Sequence, residues 1–116
     1  DARRPGMPTL SAEGVIRAQQ TVTDIAHAAG WKIYGVTYPP FAGTRWYTEE
    51  GEAVRIAVNT WIRDSGAFDA VADFDQVLRH PANPSQRRPE FMWGSPDVFN
   101  DDAFRAMANS FDLSVF

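Results

Sequence analysis

V-N-T-W-I-R-D-S-G-A-F-D-A-V-A-D-F-D, Val58–Asp75, carries the end of a helix, a stop and a strand in one short run. Val58, Trp61 and Ile62 continue a row begun by Val54 and Ala57, the i, i+3, i+4, i+7, i+8 spacing of a helix packed on a sheet. Gly66 supplies the stop. Ala67 to Phe74 then reads as a strand, with Phe68, Ala70, Ala72 and Phe74 on one side and Asp69, Val71 and Asp73 on the other. Upstream, Thr48 followed by Glu49, Glu50 and Glu52 marks an acidic helix start. Before that, Trp31 to Tyr38 is rich in β-branched and aromatic residues, carries one charge and is cut off by Pro39–Pro40, so it reads as a buried strand. Strand, crossover helix, strand is a right-handed βαβ unit with parallel strands.

The flanks extend this unit. Ser11 is a good N-cap, and Val15, Ala18, Val22, Ile25 and Ala29 recur at helical spacing until Gly30, which predicts a helix over Ala12–Ala29 with that stripe against the core. Residues 1–10, with two prolines and two arginines, read as an arm. Gln76 to Arg79 reads as a short helical turn, and residues 80–99 as an irregular link ending in an active-site-like loop. Asn100 caps a third helix, with Asp101 and Asp102 in its first turn and Phe104, Met107, Ala108 and Phe111 as its apolar stripe. Leu113, Val115 and Phe116 make an apolar C-terminal end. The fold class is therefore α/β in a single domain. Two parallel strands are too few for a sheet that is normally buried on both faces, so the organisation belongs to a larger doubly wound sheet or completes its sheet with a partner.

Composition narrows the function classes. The 116 residues suit one domain with a modest core. A net charge of -4 and dispersed arginines oppose a nucleic-acid role, which needs a clustered basic face. The Arg3–Arg4 and Arg87–Arg88 pairs read as solvated loop charge. With no cysteine there is no disulfide framework, thiolate zinc site or Cys nucleophile. No apolar run approaches the ~20 residues of a membrane span.

Ligands of open parallel sheets sit beyond the carboxyl ends of the strands. Here those ends lead into Tyr38–Phe41 and Asp75–Gln76, and the Trp93–Phe99 loop is expected to close over them. Tyr38, Phe41, Trp46 and Trp93 are accordingly candidate ligand-binding walls, the alternative being that they cover the sheet edge. Asp69, Asp73 and Asp75 offer carboxylates of the kind that bind Ca²⁺ or Mg²⁺, but their spacing matches no calcium loop, so they read as solvated or capping groups and no metal or cofactor is assigned. His27 and His80 have no partner evident in sequence and read as surface residues. Ser95, Ser110 and Ser114 lack the G-x-S-x-G elbow.

Three stretches, Leu10–Gln20, Gly30–Phe41 and Val58–Asp75, together with Tyr47–Glu52 and Asn100–Ala108, resemble the C-terminal half of an SGNH (GDSL-type) hydrolase, in order and across nearly the whole chain. The resemblance implies a partial flavodoxin-like three-layer α/β/α fold, parallel strands with flanking helices, and an acyl-ester ligand. It also implies a Ser nucleophile from a G-D-S block, oxyanion donors from the next two blocks, and a D-x-x-H motif near the C-terminus whose His is the base and whose Asp orients it. The chain holds no G-D-S block, and the first three blocks of the family are absent from it, as expected of either a piece of a longer hydrolase or a standalone remnant. Alignment on Gly94 and Asn100–Asp101 puts Ser95 where the family has Asp and Val98 where it has His. Neither can do that work, so no catalytic residue is carried over and the chain is expected to be inactive. The second expectation is a non-catalytic interaction module that self-associates or completes its sheet with a partner chain. Many members of the family are secreted, and nothing else in the sequence bears on localisation.

Overall fold

In the computed structural model, which describes residues 11–115, the chain alternates helix and strand as far as residue 78 and then changes character. Helix α1 spans Ala12–Ala28 and begins where the Ser11 hydroxyl accepts the Gly14 N–H at 3.0 Å. Strand β1 is Tyr34–Val36, helix α2 Glu49–Asp64, strand β2 Ala70–Ala72 and helix α3 Phe74–Leu78. Thr48 caps α2 by accepting from Gly51 N–H, and Asp73 caps α3 by accepting from Gln76 N–H. A short 3₁₀ turn, Pro89–Phe91, leads into β3 (Met92–Trp93) and β4 (Ser95–Phe99). Helix α4, Asp101–Asn109, starts on the Asn100 side chain, which accepts from Ala103 N–H, and Leu113–Val115 forms a last 3₁₀ turn.

β1 and β2 are parallel, with Tyr34 beside Ala70, Gly35 beside Val71 and Val36 beside Ala72. Both strands are much shorter than their apolar runs. β3 and β4 form a separate antiparallel pair, so Trp93–Phe99 is a hairpin rather than the expected loop. Gly94 turns it with φ +71°, a left-handed conformation that glycine adopts without a steric penalty. The 80–99 link is thus partly ordered as sheet.

Three helix faces differ from the periodicity reading. On α1 the buried residues are Thr23 and Ala26, while Val22 and Ile25 are 57% and 66% exposed. Its predicted core stripe therefore faces outward. On α2 the buried line is Arg55, Val58, Asn59 and Ile62. Val54 and Trp61 are only half-buried, and Ala57 is exposed. On α4 it is Ala103 that is buried, with Phe104 56% exposed. Both shifts in α1 and α2 bring polar side chains inward, and each finds a hydrogen bond there. Thr23 donates to Gln19 O at 2.9 Å, and Asn59 and Arg55 bind the end of β1.

Packing around β1 is tight on one side. A Cβ on Gly35 would lie 2.4 Å from the Phe68 ring, which itself meets Trp61 of α2 edge-on at 5.7 Å. From the same strand Tyr34 meets Phe111 at 5.1 Å, and Phe111 meets Phe74 at 5.8 Å. Alternation along a strand sends Tyr34 and Gly35 to opposite faces. The fully described core is small. Its buried apolar residues are Ala26, Val58, Ile62, Ala72, Leu78 and Ala103, half of them alanine. The residue 1–10 arm and the Phe116 end lie outside the described residues.

Candidate functional site

The carboxyl ends of β1 and β2 are where a parallel sheet offers a ligand site, and here the protein fills them with its own polar groups. Asn59 answers both backbone groups of Tyr38: its Oδ1 accepts from Tyr38 N at 2.7 Å and its Nδ2 donates to Tyr38 O at 2.9 Å. Arg55 donates to both oxygens of Glu52 at 2.7 Å, and through Nη1 to Asp75 Oδ1 at 2.6 Å and Tyr38 O at 3.2 Å. Arg63 donates through Nε to Asp73 Oδ2 at 2.7 Å and through Nη2 to Asp75 Oδ2 at 2.8 Å. The Thr37 hydroxyl links the strands, donating to Asp73 Oδ1 at 2.7 Å and accepting Asp75 N–H at 3.0 Å.

These bonds set the charges. Burial works against the Arg55 cation, but the hydrogen bonds and charges of Glu52 and Asp75 outweigh it and hold the guanidinium protonated. Arg63 is held protonated first by its bonds to Asp73, against burial. Burial likewise opposes the Asp73 carboxylate, and the bonds from Arg63, Thr37 and Gln76 N–H overcome it, so the group titrates below the usual carboxylate range. No buried side-chain polar atom among the described residues lacks a partner. The three aspartates were read as solvated or capping groups. Asp73 is a cap, but Asp75 is buried in the arginine network. Among the described residues no group of three or more His, Asp or Glu side chains is placed to hold a metal ion.

The hairpin is clamped against the loop after β1. Asp97 accepts from Arg45 N–H at 3.0 Å and from Arg45 Nε at 2.8 Å, and these bonds keep its carboxyl below the ordinary range. Arg87 reaches between the two segments, donating to Pro40 O at 2.7 Å and Pro96 O at 2.6 Å with its guanidinium 3.9 Å from the Phe99 ring centre. Burial lowers the Arg87 pKa, partly offset by Asp97. Arg87 is thus the pin of this region and not the solvated loop charge that its sequence suggests. Asn100 adds a third tie, its Nδ2 donating to Glu90 O at 2.8 Å.

Tyr38, Phe41, Trp46 and Trp93 each have contacts of their own. Tyr38 is 45% exposed and its hydroxyl accepts from Gln19 Nε2 at 3.0 Å. Phe41 packs on Tyr47, with ring centres 5.0 Å apart, and Trp46 lies under the Arg45 guanidinium at 5.4 Å. Trp93 is 69% exposed on β3. One apolar depression lies beside α1. It measures about 220 Å³ and is lined by Ala18, Gln19, Val22, Thr23, Ile33 and Phe68.

Nucleophile and base are not brought together. Ser95 Oγ accepts from Asp97 N–H, Ser110 Oγ donates to Met107 O, and Ser114 Oγ donates to Asp112 Oδ1, so each hydroxyl is bonded within three residues of itself. His80 Nδ1 accepts from Ala82 and Asn83 N–H as a turn cap. His27 does have a partner that its sequence neighbourhood hides: its Nε2 lies 2.8 Å from Asp69 Oδ2, which also accepts Ile33 N–H. Those bonds lower the Asp69 pKa, the His27 bond most. Asp24 and His27 are spaced as D-x-x-H, yet both lie on α1 and Asp24 bonds Gln20 instead. Sequence reasoning missed Arg55, Asn59 and Arg63, whose i, i+4, i+8 line on α2 was the available signal. No protein-family model and no curated protein matches the chain.

Proposed function

We propose that the chain is the C-terminal portion of an SGNH-type acyl-ester hydrolase fold and has no esterase activity of its own. The observation that carries the loss of activity is β4. Ser95 and Val98 stand where the resemblance implies Asp and His, and in a strand residues three apart face opposite sides. The hairpin therefore departs from the family motif in conformation as well as in residues. The three-layer α/β/α arrangement is the finer part of the same proposal. It is supported by the opposed surroundings of Gly35, against Phe68, and Tyr34, against Phe111.

The test is turnover of a p-nitrophenyl ester, expected to equal the buffer rate. Turnover that disappears on replacement of one serine overturns the reading of inactivity. The family reading is tested separately, by mixing the chain with the N-terminal half of an SGNH hydrolase. A stable one-to-one complex by sedimentation supports it, and the absence of any complex removes it while leaving inactivity intact.

A second reading, a non-catalytic interaction module whose sheet is completed by a partner chain, is favoured by the two-stranded parallel sheet, in which each strand has one edge unpaired among the described residues. A solution mass equal to one chain, with native circular dichroism, counts against it.

A further inference from the structure

Helix α1 turns an apolar band outward: Val22 is 57% exposed and Ile25 66%, Ala18 is exposed beside them, and Trp31, just past the helix, is 71% exposed. The apolar depression opens next to this band, with Ala18 and Val22 on its rim. We propose that two copies of the chain associate through the outer faces of α1, antiparallel about a two-fold axis near Val22, with Ile25 of each copy seated in the depression of the other. The inference does not rest on the hydrolase reading.

Self-complementarity is what a two-fold interface demands: if residue i meets residue j, then j meets i. An axis midway between Thr21 and Val22 sets Ala18 of one copy opposite Ile25 of the other, twice. Ala18 is the small residue that leaves the depression open, and Ile25 is the bulky exposed one, so each copy supplies both a cavity and the group to fill it. The charges select the same register. Arg17 and Asp24 are exposed on the flank of the band away from the body of the molecule. Arg17 makes no ion pair among the described residues, and Asp24 accepts only from Gln20, at 2.9 Å. In the antiparallel register Arg17 comes within two residues, about 3 Å along the axis, of Asp24 of the second copy, while like charges stay more than a turn apart. With Glu13, Arg17 and Asp24 of mixed sign, the face favours neither a basic nor an acidic partner over its own copy.

The test is sedimentation equilibrium of the full chain at tens of micromolar, where the expected mass is twice 13.0 kDa. Arg17→Asp and Asp24→Arg each weaken association about ten-fold, and the double reversal restores it, because both pairs re-form with opposite polarity. Ile25→Asp gives a monomer with unchanged circular dichroism. Since the chain has no cysteine, Val22→Cys is expected to cross-link rapidly on oxidation, and Ile56→Cys, exposed on α2, is the control. A native monomer overturns the proposal. So does a dimer in which Val22→Cys links no faster than Ile56→Cys, or one in which the double charge reversal is no better than the single changes. The cross-linking and charge-reversal outcomes decide the matter even if Ile25→Asp fails to fold.

Discussion

Arg55 illustrates how a charged side chain becomes a core residue. It is 7% exposed and is matched by Glu52 on one side and Asp75 on the other, so its donors and their acceptors leave water together. Removing one member strands the rest, which typically costs about 3–5 kcal/mol. Arg55→Met is therefore expected to lower stability by about 3 kcal/mol in urea denaturation, whereas replacing exposed Arg105 is expected to change it by less than about 0.5 kcal/mol. Asp73 sets the pH dependence. Its native pKa is lowered, so between the ordinary carboxylate value of about 3.9 and the native one the unfolded chain binds a proton that the folded chain does not. Its contribution is complete above the unfolded pKa and is lost as pH falls through the folded one. Asp69, Asp97 and Asp112 are shifted in the same direction and act with the same sign. Urea midpoints measured from pH 7 to pH 2 should fall below about pH 4, and Asp73→Asn should lower the neutral-pH midpoint and flatten that acid limb.

At the level of elements, what is legible in the sequence is where helices begin and end. Ser11 and Asn100 are the caps they read as, Thr48 caps the helix that its acidic start marks, and glycines 30 and 66 stand just past the first two helices with positive φ. Which face each helix buries is less legible, for a physical reason. A two-stranded sheet covers little area, so α2 is aimed by polar bonds from Arg55 and Asn59 and by packing of Trp61 on Phe68, not by apolar width alone. The hairpin escapes periodicity altogether. Gly94 and Pro96 read as loop, and what holds β4 in place comes from Arg45 and Arg87, distant in sequence. Arg87→Ala is expected to unpin the hairpin and leave α1–α2 intact, seen as faster hydrogen exchange confined to residues 92–99. Gly35→Ala sends a methyl into the Phe68 ring and is expected to cost about 1–3 kcal/mol, read as a lowered Tm.

As a whole molecule, the chain has an α/β organisation with a βαβ centre and too little closed core to be read as a complete doubly wound sheet. Among the described residues half of the buried apolar ones are alanine, and ten large apolar side chains are 39% or more exposed. No helix among the described residues is long and apolar enough to cross a membrane. At the strand ends Arg55, Asn59 and Arg63 bond Tyr38 and Asp75, and the hydroxyls of the three candidate serines are engaged locally. The proposal of an inactive SGNH-type chain is tested most directly by fluorophosphonate labelling followed by intact mass. The account predicts a 13.0 kDa protein of unchanged mass after prolonged exposure. Stoichiometric addition of one phosphonyl group, mapped to a single serine, would contradict it.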